Sequence, residues 1–284
     1  MISRKFWRRG LLGVGAVFVT LALWAFWLEP SSLVVHEERI ELTSFGSASL
    51  RVAVLSDLHV GAPFMGLDKL RTVVERTNAL RPDLICLLGD YVIQGVRGGT
   101  FVPPEPIGRE LAGLHAAAGV FAVLGNHDGW FDAARMAAAL RANGIAVLEN
   151  AAQHVETAAG PVWLVGFDDL MTGRPDPARA LSAVPSDATR VIALTHNPDL
   201  FPTVPARVTI TLAGHTHGGQ VRIPFIGSPI VPSRFGQRYV AGHVIENGRH
   251  LFVSTGIGTS IIPVRFRVPP SIALLTLAGP AAPR

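Results

Sequence analysis

The sequence predicts an α/β fold, on three observations. Short valine- and leucine-rich runs alternate with segments whose apolar residues recur at helical spacing. Several of the runs are apolar throughout, as expected of strands buried on both faces of a sheet. The runs end at glycine, Asp, Asn or His. In open α/β sheets ligands gather beyond the carboxyl ends of the strands, so these polar exits are expected to converge.

The first element is not part of that pattern. Gly10 to Leu28 carries no charge, and at about 1.5 Å per residue it can cross a hydrocarbon core of roughly 30 Å. Arg4, Lys5, Arg8 and Arg9 precede it, and Trp24 and Trp27 sit at its far end. The positive-inside rule then places the N-terminus in the cytoplasm and everything after Glu29-Pro30 outside. No clean small-x-small cleavage site precedes Glu29, which favours an uncleaved anchor over a signal peptide. Arg8-Arg9 also fits a twin-arginine export pair, though plain positive-inside charge explains it more simply. The expected organisation is a basic N-terminus and transmembrane signal-anchor over 1–30, a linker and first strand over 31–49, and the main domain over 50–284.

Leu33 to Leu42 reads as the first strand, with His36 on its surface. Leu50 to Leu55 is a buried strand ending in Ser56-Asp57-Leu58-His59. Leu67 to Leu80 has one apolar side, through Leu67, Leu70, Val73, Val74 and Thr77, and reads as a helix stopped by Pro82-Asp83. Leu84 to Leu88 is the next strand, ending in Gly89-Asp90. A Gly- and Pro-rich loop, Gln94 to Pro106, is long enough to be a surface excursion near a site. Ile107 to Ala118 is expected to be helical, with His115 on its surface. Gly119 to Leu124 is a strand ending in Gly125-Asn126-His127-Asp128, and Phe131 to Ala142 a helix capped by Asn143-Gly144. Val162 to Val165 leads to Gly166-Phe167-Asp168-Asp169. Arg190 to Leu194 leads to Thr195-His196, and Val208 to Thr211 leads to Gly214-His215-Thr216-His217. Shorter strands are expected near 251–253 and 272–277.

The composition limits the function classes. A chain of 284 residues that is 49% hydrophobic and 16% charged is no disordered tail. Of the net +4, the first thirty residues supply +3, from four basic residues against Glu29. The remaining +1 argues against a dedicated nucleic-acid surface. The lone Cys86 reads as a small buried hydrophobe and excludes a cysteine-based zinc site. Nothing in the sequence implies a protein partner.

Asp57, His59, Asp90, Asn126, His127, His196, His215 and His217 all lie just beyond strand ends. Singly, each is an ordinary cap, turn or loop residue. Together they offer carboxylate, imidazole and amide donors suited to borderline first-row cations. Asp90, with two carboxylate oxygens, is the natural bridge between two ions, and two such ions activate water for attack on phosphorus.

Asp57-x-His59, Gly89-Asp90, Gly125-Asn126-His127-Asp128, His196 and Gly214-His215-x-His217 resemble, in order, the five signature blocks of the calcineurin-like metallophosphoesterases. The resemblance covers residues 50 to about 255. It implies a metallophosphoesterase sandwich of two mixed β-sheets flanked by helices. It implies that Asp57, His59, Asp90 and His217 hold one metal, and Asp90, Asn126, His196 and His215 the other. His127 would be catalytic, protonating the leaving oxygen or stabilising phosphoryl charge. Family metals include Mn, Fe, Zn, Ni and Co. Val221-Arg222-Ile223-Pro224 and Ser254-Thr255-Gly256-Ile257-Gly258 look like the membrane-anchored cell-envelope branch.

The expected function is therefore a phosphodiesterase, with its catalytic domain on the periplasmic or extracellular side of the inner (cytoplasmic) membrane. Its substrate would be a cell-envelope or lipid-linked phosphoester. A nuclease and a non-catalytic metal-binding scaffold are the alternatives. The low charge argues against the first, and the complete ligand set with His127 against the second. Val221 to Phe235, rich in Phe, Ile and Pro, reads either as packing against a second sheet or as an apolar loop at a bilayer interface.

Overall fold

Among the described residues, twelve strands form two six-stranded sheets stacked face to face, both mixed as expected. The computed structural model describes residues 4–280. The chain opens with α1 (Arg4–Leu23), which runs on through a π-helical turn (Trp24–Leu28) into the short α2 (Glu29–Ser31). Gly10–Ser31 is long and apolar enough to cross a membrane. The side chains of the basic cluster at Arg4, Lys5, Arg8 and Arg9 lie outside the described part of the structure.

The first sheet uses β1 (Val34–Glu41), β2 (Ser49–Leu55), β3 (Leu84–Leu87), β4 (Val120–Ala122), β5 (Ala146–Val147) and β12 (Ser271–Ala278). Their order is β1-β12-β2-β3-β4-β5. The second sheet uses β6 (Ala151–Val155), β7 (Val162–Gly166), β8 (Val191–Leu194), β9 (Ile210–Ala213), β10 (Gly242–Glu246) and β11 (Arg249–Val253), in the order β10-β11-β9-β8-β7-β6. Strands β2 to β5 run parallel, as do β7, β8, β9 and β11.

Two-residue alternation divides the core. In β2, Val52 and Val54 face the second sheet, while Ala53 and Leu55 face helices. In β3, Leu84 and Cys86 point between the sheets, where Leu164, Ile192, Ile210 and Phe252 meet them. The outer face of the first sheet is covered by α3 (Leu67–Ala79), α4 (Pro104–Leu111) and α5 (Asn126–Arg141), through Leu70, Val73, Ile107, Leu111, Met136 and Leu140. On the other side, α6 (Pro177–Ala180) and the 3₁₀ turn Pro198–Thr203 cover the second sheet. Cys86 is buried and free, and burial pushes its thiol well above the ordinary range.

The structure shifts several boundaries. α4 spans 104–111 rather than 107–118, because Pro104 and Pro106 sit in a first turn that needs no N–H donors. The chain leaves the helix at Ala112–Leu114, so His115 lies beyond it. α5 begins at Asn126 rather than Phe131, with non-helical backbone at Asp132. The short strands β5, β6 and β10 were not expected. Each pairs at or beside a sheet edge, where one face is polar and apolar periodicity is weak. β1, set apart in sequence with the linker, pairs along its whole length with β12.

The N-terminal apolar helix joins the domain at the strand-exit end. Val34 pairs with Ser271, and Ala273 pairs with Val54, three residues before Asp57. Arg265 N donates to Ala25 O at 2.9 Å, and Trp24 Nε1 and Val268 N each donate to the Glu29 carboxylate at 2.5 Å. Trp27 packs edge-on against Phe64 at 5.7 Å.

Candidate metal centre

Five parallel strands deliver the candidate ligands. β2 exits to Asp57 and His59, β3 to Asp90, β4 to Asn126 and His127, β8 to His196, and β9 to His215 and His217. All eight side chains are buried. Asp57, His59, Asp90, His215 and His217 hold left-handed backbone, with φ of 52°, 44°, 57°, 72° and 52°. That conformation costs a non-glycine residue about 1–2 kcal/mol. Strain of this kind clusters where a site requires it.

The donor atoms fall into two groups joined by one carboxylate. In the first, His59 Nε2 and His217 Nε2 are 3.1 Å apart, and Asp57 Oδ1 is 3.4 Å from His217 Nε2. In the second, His196 Nε2 lies 3.1 Å from Asn126 Oδ1, 3.2 Å from His215 Nδ1 and 3.2 Å from Asp90 Oδ2. The same Asp90 Oδ2 is 3.5 Å from His59 Nε2. Asp57-His59-His217, Asp90-His196-His215 and His59-Asp90-His127 each bring three ligand atoms within 4.8 Å of one another.

These residues fit metal ions. The His196 Nδ1–H donates to Leu88 O at 2.7 Å, which leaves Nε2 facing acceptors and another ring nitrogen. Without a cation, a proton on Nε2 must hold those atoms together. Accordingly, although burial opposes it, the Asp90 carboxylate raises His196 to about 10. Burial would raise Asp90, but the charge of His196 and the hydrogen bond from it hold the carboxyl well below the carboxylate range. The other histidines stay neutral, as ligands must. Burial drives His59 down to about 3, His215 to about 4, and His217 well below its ordinary value. Asp57 is pushed up to about 6 by burial, with the positive charge of His196 opposing.

Glycine permits this density at two positions. A Cβ on Gly214 would lie 1.8 Å from Ser56 Oγ and 2.7 Å from Asp57 Oδ2. One on Gly125 would lie 2.2 Å from Asp90 Oδ1.

Two contributors had no expected role. Asp128, quoted only as part of a motif, accepts from Asp90 N at 2.8 Å, Tyr91 N at 2.9 Å and Gly125 N at 2.9 Å. It thereby ties the β3 exit to the β4 exit, and burial raises it to about 7. Arg265 is fully buried and donates to the carbonyls of Thr255, Gly258 and Val268. Gly258 N in turn donates to Asp57 O at 2.7 Å. No local pattern marks Arg265, whose distant partners Thr255 and Gly258 lie in the turn after β11.

His127 stands apart from the tightest contacts. Its Nε2 is 4.0 Å from Asp90 Oδ2, and its ring lies between those of His59 and Trp130, with centroids at 4.6 and 5.0 Å. Its backbone N, by contrast, donates to Asp90 Oδ1 at 2.8 Å. Burial lowers its pKa, with the Asp90 charge opposing. His127 faces a cavity of about 610 Å³ whose floor is the donor cluster. Trp130, Leu170, Met171, Ile230 and Ile261 give it apolar walls, and Arg234 adds one guanidinium.

Residues 50–219 match the model of the calcineurin-like phosphoesterase family. The chain is 32% identical to the metallophosphoesterase YkuE of Bacillus subtilis, over 97% of this chain and 98% of that one. It is 31% identical to the phosphodiesterase YaeI of Escherichia coli, over 98% and 100%. A transmembrane protein with metallophosphoesterase domain from Danio rerio is 27% identical, over 88% of this chain and 59% of that one. With the five motif blocks converging on one donor cluster, the chain belongs to the calcineurin-like phosphoesterases and is a phosphoester hydrolase.

Proposed function

We propose that the chain is a dinuclear-metal-dependent phosphodiesterase held at the outer face of the cytoplasmic membrane, acting on a lipid-linked phosphodiester of the cell envelope. The observation that carries this reading is Asp90 Oδ2, which faces both donor groups at the floor of an apolar-walled cavity. Asp57, His59, Asp90 and His217 would hold one cation, and Asp90, Asn126, His196 and His215 the other. When bound, the two cations supply Lewis-acid charge for phosphoryl oxygens and for activation of water. His127, beside this cluster and open to the cavity, delivers a proton to the leaving oxygen. Trp130, Met171 and Ile261 line the cavity and favour an apolar substituent on the phosphate. The name of the E. coli relative supports diester chemistry, and that of the Danio rerio relative supports the membrane.

The test compares substrates on the full chain, metal-loaded in mixed micelles. A lipid-linked phosphodiester is expected to exceed both its water-soluble headgroup analogue and the matching monoester by roughly tenfold or more in kcat/KM, the worth of one or two buried apolar contacts. Equal or faster turnover of monoesters would sink the diester reading, and preference for a nucleic acid would favour the nuclease. The placement has its own check. An alkaline phosphatase reporter fused after Arg284 is expected to be active only if exported; a reporter that works only in the cytoplasm would overturn the outer-face assignment.

A further inference from the structure

Large exposed apolar side chains outside the anchor are concentrated on one side of the domain. Among the described residues, all but Ile245 lie at the strand-exit end, the end that carries the metal centre. The densest group is Phe225, Ile226 and Ile230 with Ile261 and Ile262. Val231 and Phe235, farther along the same segment, are instead half-buried. The segment thus splits, its second half packing on the domain and its first half projecting from it.

The projecting half is a tight turn. Ile226 N donates to Ile223 O at 3.2 Å, with Pro224 second and Phe225 third in the turn. Phe225 has φ of 67°, a conformation that this position ordinarily gives to glycine or asparagine. Its ring is fully exposed, so packing within the domain does not explain a phenylalanine there. A second tip lies alongside. The Gln220 side chain accepts from Ser260 N at 2.7 Å and donates to Ser260 O at 3.1 Å, and Val221 bridges to Phe266. Ile261 and Ile262, 70% and 45% exposed, are thereby held beside the Phe225 turn.

Charge and position identify the partner. Arg97, Arg222 and Arg267 are exposed around the tips, and neither 221–235 nor 254–270 contains an acidic residue. Apolar tips among guanidiniums match an anionic bilayer surface. The anchor ends close by, since Arg265 N is bonded to Ala25 O and Arg265 lies four positions after Ile261. That separation is at most about 14 Å of extended chain.

We propose that the strand-exit end is a membrane-docking face. Phe225-Ile226 and Ile261-Ile262 enter the interfacial layer of the bilayer, Arg97, Arg222 and Arg267 meet anionic lipid headgroups, and the metal cavity opens against the lipid surface. The proposal rests on α1 being a membrane anchor; it does not depend on which phosphoester is hydrolysed.

The test places the full chain in nanodiscs containing phosphatidylglycerol, with a nitroxide at Ile226→Cys or, for reference, at Ser186→Cys. Ser186 is exposed before the first residue of β8, at the opposite end of the strands. Cys86 is buried and stays unlabelled. Collision with oxygen, which concentrates in lipid, is compared with collision with water-borne chromium oxalate. The expected result is an oxygen-dominated label at 226 and an oxalate-dominated one at 186. An oxalate-dominated label at 226 would overturn the proposal. So would shielding from both reagents, which would mean that protein covers the turn.

Catalysis is read separately. Phe225→Ser/Ile226→Ser is expected to leave hydrolysis of soluble bis(p-nitrophenyl) phosphate unchanged, because neither residue lines the cavity. The same change should slow a bilayer-embedded diester several-fold. An oxygen-dominated label on a chain that hydrolyses no diester would sink the phosphodiesterase reading and leave the docking face standing. Equal rates on the embedded diester, with the fold intact, would count against docking.

Discussion

Asp90→Asn is expected to lose most of its bound metal and at least about 10³-fold in turnover. Asp90 Oδ2 faces both donor groups, at 3.5 Å from His59 Nε2 and 3.2 Å from His196 Nε2. Two cations held side by side repel, and a shared anion offsets that repulsion; an amide of the same shape does not. Metal supplies several kcal/mol of charge stabilisation, and each 1.36 kcal/mol is tenfold in rate. The loop itself should survive the change, because Asp128 holds Asp90 N and Tyr91 N through the backbone. Elemental analysis of the purified variant, beside circular dichroism, separates the causes. A folded Asp90→Asn chain that keeps two metal ions would remove the bridging role.

His127→Ala is expected to keep its metal and lose about 10²–10⁴-fold in turnover, the usual worth of general acid help. The side chain and the backbone of His127 do different work. The backbone N donates to Asp90 Oδ1, and alanine preserves that bond. The ring faces the cavity, with Nε2 4.0 Å from Asp90 Oδ2, and alanine removes it. The loss should shrink for p-nitrophenyl esters, whose leaving group needs little protonation. Equal losses on good and poor leaving groups would sink the acid role. A fall in metal content would instead make His127 a ligand, in keeping with its grouping with His59 and Asp90.

Much of this protein was legible in the sequence because its candidate ligands sit at strand ends. Strands buried on both faces leave long apolar runs, and the residue at which such a run stops is visible without any structure. Asp57, His59, Asp90, Asn126, His127, His196, His215 and His217 could be named on that basis, and the α/β class followed from the same alternation. The long apolar helix at the N-terminus was equally plain, since a charge-free run at Gly10 to Leu28 is a property of the chain alone. Interactions between distant segments decided the rest. β6 and β10 exist because neighbouring strands complete their hydrogen bonds, not because their own periodicity demands it. Asp128 became an organiser only when the exits of β3 and β4 met. Arg265 links Ala25, the Gly258 turn and, through it, Asp57, segments more than two hundred residues apart in places. Whether Phe225 and Phe235 pack or project was likewise undecidable from an apolar run. Burial is set by what lies opposite a side chain, and only the folded chain determines that.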